Sequence, residues 1–131
     1  MTRTLRPSYL ESLEQRLFVK RFRVHPRTKR LLACAVPNGG RRGKLEAIRL
    51  VAEGVTRGVP DWLCFHPSAD KQSIGLAIEF KSPTGRGRFT PEQRDWHNGL
   101  RSLGWTVVVA TSAQEAWDAL EAHLSFGDFK G

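Results

Sequence analysis

The chain has 131 residues, 40% of them hydrophobic, so we predict one domain that spans it and buries a core of its own. Its 21 lysines and arginines against 13 acidic residues give a formal charge of +8, which favours nucleic acid over an anionic membrane as its partner. No apolar run approaches the roughly 18 residues of a membrane span, and the start of the chain has no signal-peptide pattern, so we expect a cytoplasmic protein of a bacterium or a phage.

Apolar periodicity and capping signals predict eight elements along the chain. In chain order they are a helix at 8–23, a strand at 31–36, a helix at 41–53, strands at 62–65 and 74–81, a helix at 90–103, a strand at 105–110 and a helix at 112–124. Ser8 is expected to cap the first helix, and Cys34 and Cys64 are expected to be small core residues of two strands, not a disulfide or a zinc site. The apolar residues expected to point inward are Leu10, Leu13, Leu17 and Phe18 in the first helix and Leu45, Ile48 and Val51 or Ala52 in the second.

This order predicts an α/β fold of the type α-β-α-β-β-α-β-α, with a mixed central β-sheet flanked by helices. The strands at 62–65 and 74–81 are expected to form an antiparallel hairpin. The strand at 105–110 follows 74–81 through a helix, so those two strands should be parallel, with a right-handed crossover. The core is expected to span about residues 8–124 and the tail at 125–131 to be frayed.

Two acids and a lysine lie in or next to this hairpin. Glu79 and Lys81 share one strand face, and antiparallel pairing can bring Asp61 opposite Glu79, with Cβ atoms about 5 Å apart. Carboxylates that close repel unless a cation lies between them, and a hard divalent ion, Mg²⁺ or Mn²⁺, is the natural choice. The ion could polarise a phosphate and activate a bound water, which Lys81 could position. From the residues alone, a structural Glu79–Lys81 pair on an exposed sheet face and an Asp61 that caps a turn is an equally good interpretation.

Blocks of sequence around these three residues occur in a recognisable order and spacing. They are Pro37-Asn-Gly-Gly40, Ala52-Glu-Gly-Val55, Gly58-Val-Pro-Asp61, Gly75-Leu76, Ile78-Glu79-x-Lys81, Thr90-Pro-Glu-Gln93-x-x-Trp96 and Gly104 before an apolar strand. In this order they resemble the VRR-NUC domain (virus-type replication-repair nuclease), a branch of the PD-(D/E)xK nuclease superfamily, over about residues 8–124. The resemblance implies a restriction-endonuclease-like core and the hydrolysis of DNA phosphodiesters with Mg²⁺ or Mn²⁺.

The resemblance also implies a role for each residue of the acidic cluster. Asp61, Glu79 and the backbone carbonyl of Phe80 would be metal ligands, and Lys81 would be the cation that faces the water or the phosphate. Gln93 would lie close to the active site, although its position in a helix capping box explains it as well.

An acid on the first helix, close to the metal, is implied as well. Glu11, which shares a helix face with Gln15, fits best and is a candidate metal ligand, while Glu14 is the competing candidate. A capping box opened by Ser8 would explain Glu11 equally well.

Basic residues in two loops are expected to flank the site and to contact phosphates without reading sequence. One loop precedes the second helix, whose first backbone N–H groups also favour a phosphate, and the other follows the strand at 74–81. His97 could line the same groove, but we expect it on the surface. The predicted nucleic-acid contacts are Asn38, Arg41, Arg42, Lys44, Arg86 and Arg88. A second basic block comprises Lys20, Arg21, Arg23, Arg27, Lys29 and Arg30.

A short chain with these blocks resembles Holliday-junction resolvases, which act as homodimers. We therefore expect a two-fold dimer that cuts branched DNA in repair or recombination. One alternative is a nuclease that nicks flaps or branched ends beside a phage or mobile-element helicase. The other is a basic module that binds DNA without cutting it, against which the complete set of Asp61, Glu79 and Lys81 argues.

Overall fold

A computed structural model describes residues 6–37 and 43–125 of the chain. Its helices are α1 (Pro7–Val24), α2 (Lys44–Ala52), α3 (Pro91–Ser102) and α4 (Ala113–Leu124), and its strands are β1 (Ala33–Ala35), β2 (Trp62–Cys64), β3 (Gly75–Phe80) and β4 (Trp105–Ala110). A short 3₁₀ turn at Pro83–Gly85 follows β3. The order along the chain is the predicted one, so the predicted fold class is confirmed. The predicted frayed tail, beyond residue 125, lies outside the described residues.

The four strands form one mixed sheet in the order β1-β2-β3-β4. β2 pairs antiparallel with both β1 and β3, and β3 pairs parallel with β4, as the hairpin and the crossover predict. Every residue of β3 is buried, because this strand has a neighbour on each edge and helices on both faces. A charged side chain in β3 therefore loses most of its contact with water.

The larger part of the core lies between the sheet and helices α1 and α4. The fully buried ring of Phe18 packs edge-on against Trp62, with ring centres 4.8 Å apart, and Trp117 of α4 closes this cluster. Leu17, predicted to point inward, is 48% exposed. Phe22, four residues after Phe18 and on the same helix face, occupies the interior instead.

Helix α3 covers the opposite face of the sheet, over β4 and the adjoining side of β3. Leu100 packs there with Ala77 and Val107, and the rings of Trp96 and Trp105 lie partly buried against them. Because α3 returns antiparallel to β3 within the crossover, its first turns lie beside the end of β3.

Helix α2 contributes no buried residue to the core. Leu45, Ile48 and Val51 are 84%, 58% and 68% exposed, so the prediction that they point inward is wrong. The period of the apolar residues predicts a helix face, but it does not determine what covers that face. The prediction for Cys34 is wrong for a similar reason, since Cys34 is exposed on the edge strand β1, whereas Cys64 is buried.

The start of α1 also differs from the prediction. Pro7 occupies its first turn and Arg6 is the N-cap, so Ser8 lies inside the helix and does not cap it. Across the two described ranges, no helix is long and apolar enough to cross a membrane.

Candidate active site

The end of the β2–β3 hairpin brings Asp61 and Glu79 face to face. The antiparallel register pairs Trp62 with Ile78. One position further along each strand, Asp61 therefore lies opposite Glu79. Asp61 Oδ2 accepts a hydrogen bond of 2.7 Å from the backbone N–H of Phe80, the residue after Glu79. The two carboxylates thus have the opposition that the sequence predicted.

Glu79 is only 3% exposed to solvent. Burial raises its pKa from 4.5 to about 10, and the neighbouring Asp61 carboxylate adds to this shift. Without a cation, the Glu79 side chain therefore carries a proton at neutral pH. Its burial excludes the interpretation of Glu79 and Lys81 as a structural pair on an exposed sheet face.

Helix α3 holds the amino group of Lys81, the residue that follows β3. Lys81 Nζ donates a 3.2 Å hydrogen bond to Gln93 Oε1 and lies 5.3 Å from the centre of the Phe89 ring. The same Gln93 oxygen accepts the backbone N–H of Thr90 at 3.0 Å, and Thr90 Oγ1 accepts the N–H of Gln93 at 3.1 Å. Gln93 thus completes the predicted capping box and contacts Lys81 as well, so the two interpretations of this residue are compatible.

The loop that carries Asp61 packs against the first turn of α3. Gly58 has a φ of +96°, and a Cβ at this position would lie 2.5 Å from the backbone carbonyl of Glu92. Glycine alone has both the conformational freedom and the small size that this contact requires. The contact keeps the Asp61 side of the site close to the Gln93 side.

Glu11 and Gln15 of α1 reach the site from the other face of the sheet. Glu11 Oε1 accepts a 3.1 Å hydrogen bond from the backbone N–H of Ser82, just beyond β3. Gln15 Nε2 donates to the backbone oxygen of Asp61 at 3.5 Å. Because the four-residue spacing puts both side chains on one helix face, α1 can hydrogen-bond the backbone on both strands' sides of the site.

Glu14, the competing candidate, belongs to a different part of the molecule. Its Oε1 accepts a 3.1 Å hydrogen bond from the N–H of Ala113, at the N-terminus of α4, where a negative charge is favoured. The negative charge of Glu11, by contrast, contributes to the raised pKa of Glu79. The structure brings Glu11, and not Glu14, to the acidic cluster.

His97 is a buried neighbour of Glu79, so the expectation that it lies on the surface is wrong. It is 4% exposed, its Nε2 lies 3.3 Å from Glu79 Oε1, and its ring packs edge-on against Phe89 at 5.2 Å. Burial, reinforced by nearby positive charges, lowers the pKa of the imidazole. The sequence does contain a signal for this placement, because the four-residue spacing from Gln93 puts both side chains on one face of α3.

The oxygen groups at this end of the sheet suit a hard divalent ion. Within residues 6–37 and 43–125, no three His, Cys, Asp or Glu side chains are grouped closely enough to hold a metal by themselves. Mg²⁺, however, is commonly bound by one or two carboxylates, with water and phosphate oxygens completing its coordination. Asp61 and Glu79 are two adjacent carboxyl groups, one of which keeps a proton until a cation replaces it. This set fits Mg²⁺ or Mn²⁺ better than zinc, which favours nitrogen and sulfur ligands.

The basic residues predicted to contact nucleic acid differ in the contacts that their charged groups make within the protein. Lys44 at the start of α2 and Arg88 after β3 are exposed. Arg86 is exposed too, but its guanidinium group donates to the Thr111 hydroxyl and the Glu115 carboxylate. Its charge is therefore already paired within the protein. Three further residues of this prediction, Asn38, Arg41 and Arg42, lie outside the described residues.

Comparisons with known proteins agree with this architecture. A family model described as the VRR-NUC domain matches residues 10–114, which include every residue of the cluster around Glu79. A solved structure described as a VRR_NUC domain protein is similar over 99% of this chain and 97% of its own, with 22% sequence identity and a TM-score of 0.70. A search of curated proteins found no match.

Proposed function

The chain belongs to the VRR-NUC domain family, and on that premise we propose that it is a metal-dependent endonuclease that cuts phosphodiester bonds in branched DNA, in the cytoplasm of a bacterium or a phage-infected cell. The observation that carries the proposal is the convergence of Asp61, Glu79 and Lys81 at the end of the hairpin. Two carboxylates for a divalent ion and a lysine for the water or phosphate are the groups that such hydrolysis needs.

Each of these residues has a defined task in the proposed reaction. Asp61, Glu79 and the backbone carbonyl of Phe80 would hold the ion, Mg²⁺ or Mn²⁺. The bound ion would lower the pKa of a water molecule and neutralise charge on the phosphate. Lys81 Nζ, oriented by its hydrogen bond to Gln93, would donate to the attacking water or to a phosphate oxygen as negative charge develops.

Glu11 is proposed as a further oxygen ligand or as a partner of metal-bound water. Its carboxylate is fixed by the N–H of Ser82, so it does not need to reorganise to take part. Its charge already acts on Glu79, which supports a position within electrostatic reach of the ion.

A branched substrate and a two-fold dimer are proposed together, because two symmetric sites can cut the two matching strands of a junction. The net charge of +8 supports a DNA backbone as the partner. The exposed apolar face of α2, formed by Leu45, Ile48 and Val51, supports an interface with a second copy, since patches of this kind mark contact surfaces.

A cleavage assay tests the proposal directly. Labelled duplex, flap and four-way-junction DNA would be incubated with the protein and Mg²⁺, Mn²⁺ or EDTA. Asp61→Asn and Lys81→Ala should abolish cleavage but keep the fold. Asp118→Asn, at an exposed position of α4, and Lys71→Ala, at an exposed position before β3, are the matched controls and should cut normally.

The products distinguish the possible substrates. Paired symmetric cuts found only on junctions would support the resolvase. Cuts at flap bases would instead support a branched-end nuclease that works beside a helicase. Binding of all substrates without metal-dependent cleavage would contradict the enzyme and leave a DNA-binding module.

The dimer can be tested with the double variant Leu45→Glu, Ile48→Glu. Two charges on the α2 face should convert a dimer to a monomer in sedimentation or light scattering. Junctions should then be nicked on one strand at a time, because each active site remains intact. A wild-type protein that is monomeric at the assay concentration would contradict the dimer but not the nuclease.

A further inference from the structure

Two polar side chains of α3 pair one to one with a side chain of β3 and with that of the lysine that follows β3. Glu79 and Lys81 are two strand positions apart, or about 6.6 Å, and Gln93 and His97 are four helix positions apart, or about 6 Å. The two spacings match, and the chain directions are opposed. Gln93 therefore contacts Lys81 at 3.2 Å while His97 contacts Glu79 at 3.3 Å.

The position of the imidazole is fixed by its surroundings. His97 is 4% exposed and packs edge-on against Phe89, whose ring also lies 5.3 Å from Lys81 Nζ. Burying a polar ring is unfavourable unless a hydrogen bond compensates, and Nε2 has its contact in Glu79 Oε1. A buried imidazole held in this way can orient the carboxyl group of Glu79.

We propose that His97 is a positioning residue for the metal ligand Glu79, and this inference rests on the proposed metal site. A deprotonated carboxylate can only accept hydrogen bonds, so His97 must be the donor, through its Nε2–H. The bond to Oε1 fixes the rotation of the carboxylate and leaves Oε2 free for the ion. Partners of this kind commonly change metal affinity 10–100-fold when they are removed.

Two substitutions separate this role from simple packing. His97→Leu fills much of the space but has no donor, whereas His97→Gln places an N–H group at about the position of Nε2. If His97 only fills space, neither variant should change metal binding beyond what a loss of stability explains. If it positions Glu79, the two variants should differ in metal affinity.

The experiment is calorimetric titration of Mn²⁺ into metal-free protein at one fixed pH, with melting curves in EDTA for each variant. We expect His97→Leu to bind Mn²⁺ about 10–100-fold more weakly and His97→Gln to stay within about threefold of wild type. Asp61→Asn is the control for loss of a ligand.

Three results would count against the inference. A folded His97→Leu protein with wild-type Mn²⁺ affinity would overturn this inference but not the proposed function. The same holds if both variants lose equal affinity, in proportion to their losses of melting temperature. A wild-type protein that binds no Mn²⁺ would overturn the proposed metal-dependent function, and this inference with it.

Discussion

Helix α3 turns polar side chains toward the rest of the molecule, whereas helix α2 leaves apolar side chains exposed to solvent. α3 buries His97 and partly buries Gln93 against β3 and the lysine that follows it, although both side chains are polar. α2 leaves Leu45 and Ile48 exposed, although both are apolar. Polar groups turned inward are unfavourable unless they bind something, and apolar groups turned outward are favoured only where something covers them. These two exceptions support the two proposed contacts, an ion and a phosphate beside α3 and a second chain on α2.

The largest effect is expected from Glu79→Gln, beneath α3. This change removes the charge but keeps the size, so cleavage should fall by about 10³-fold. Because its pKa is raised to about 10, Glu79 is already neutral in the metal-free protein, and melting in EDTA should be nearly unchanged. Glu53→Gln, exposed just after α2, is the control for both measurements. A marked loss of stability in the metal-free Glu79→Gln protein would show that the charge supports the fold.

Replacing one leucine by alanine in each helix should have very different effects on the free energy of unfolding, because the leucine of α3 is buried and the leucine of α2 is exposed. Leu100→Ala opens a cavity between α3 and the sheet and should lower the free energy of unfolding by about 2–5 kcal/mol. Leu45→Ala, at an 84% exposed position, should change it by less than about 0.5 kcal/mol. Urea unfolding at concentrations where the chain is monomeric measures both. Equal losses would mean that α2 packs on its own chain.

Two glycines between α2 and β2 provide a narrower comparison. Gly54 and Gly58 both have positive φ, +105° and +96°, but a Cβ meets open space at Gly54 and the Glu92 carbonyl at Gly58. Gly54→Ala should lower the free energy of unfolding by about 1 kcal/mol, from backbone strain alone. Gly58→Ala should lower it by a further ~1–3 kcal/mol and also reduce cleavage, since this loop carries Asp61. Similar losses of unfolding free energy in both variants would show that the loop can move away from Glu92 and accommodate a Cβ at position 58 without a further cost.

A further effect is expected on the pH dependence of metal binding. Glu79 has a pKa near 4.5 when unfolded and about 10 when folded. Its protonated form therefore stabilises the metal-free fold fully below pH 4.5, and this contribution is lost as pH rises toward 10. Metal binding requires the proton to leave, so Mn²⁺ affinity should increase with pH, by up to about tenfold per unit. The titratable groups that act on Glu79 or contact it are Asp61, Glu11, Lys81 and His97.

Calorimetry in buffers of different ionisation enthalpy would measure the proton released on Mn²⁺ binding. Glu79→Gln should release none from this position. Affinity that does not change between about pH 6 and 9 would mean that Glu79 is already ionised in the metal-free protein.

The hairpin and its charged residues could be predicted because their signals are local. A proline-flanked Asp61 at one end of a strand and Glu79 on the next strand need only the correct register to meet, and alternation of side chains defines that register. The capping box of Thr90 and Gln93 is likewise fixed within one turn of helix. Such features depend on neighbours in sequence, so distant packing does not change them.

For helices α1 to α3, the assignments that were wrong or left open concern what lies against the helix, which the helix sequence does not specify. Glu11 and Glu14 are three positions apart, and only the placement of α4 shows that Glu14 belongs to its N-terminus. His97 was expected on the surface because the sequence of α3 does not show that Glu79 lies beneath it, and only the four-residue spacing from Gln93 indicates the face that the two side chains share. Leu17 was expected inside because the leucine period continues through it, whereas the larger Phe22 fills the space.

The double use of the Gln93 oxygen has a consequence for protein engineering. Glutamate is also favoured at the third position of a helix, where it completes a capping box and interacts well with the helix dipole. A design that optimises helix stability alone would therefore accept Gln93→Glu. That carboxylate would form an ion pair with Lys81 and draw its charge away from the substrate. At this position a more stable helix and a faster enzyme should be competing goals.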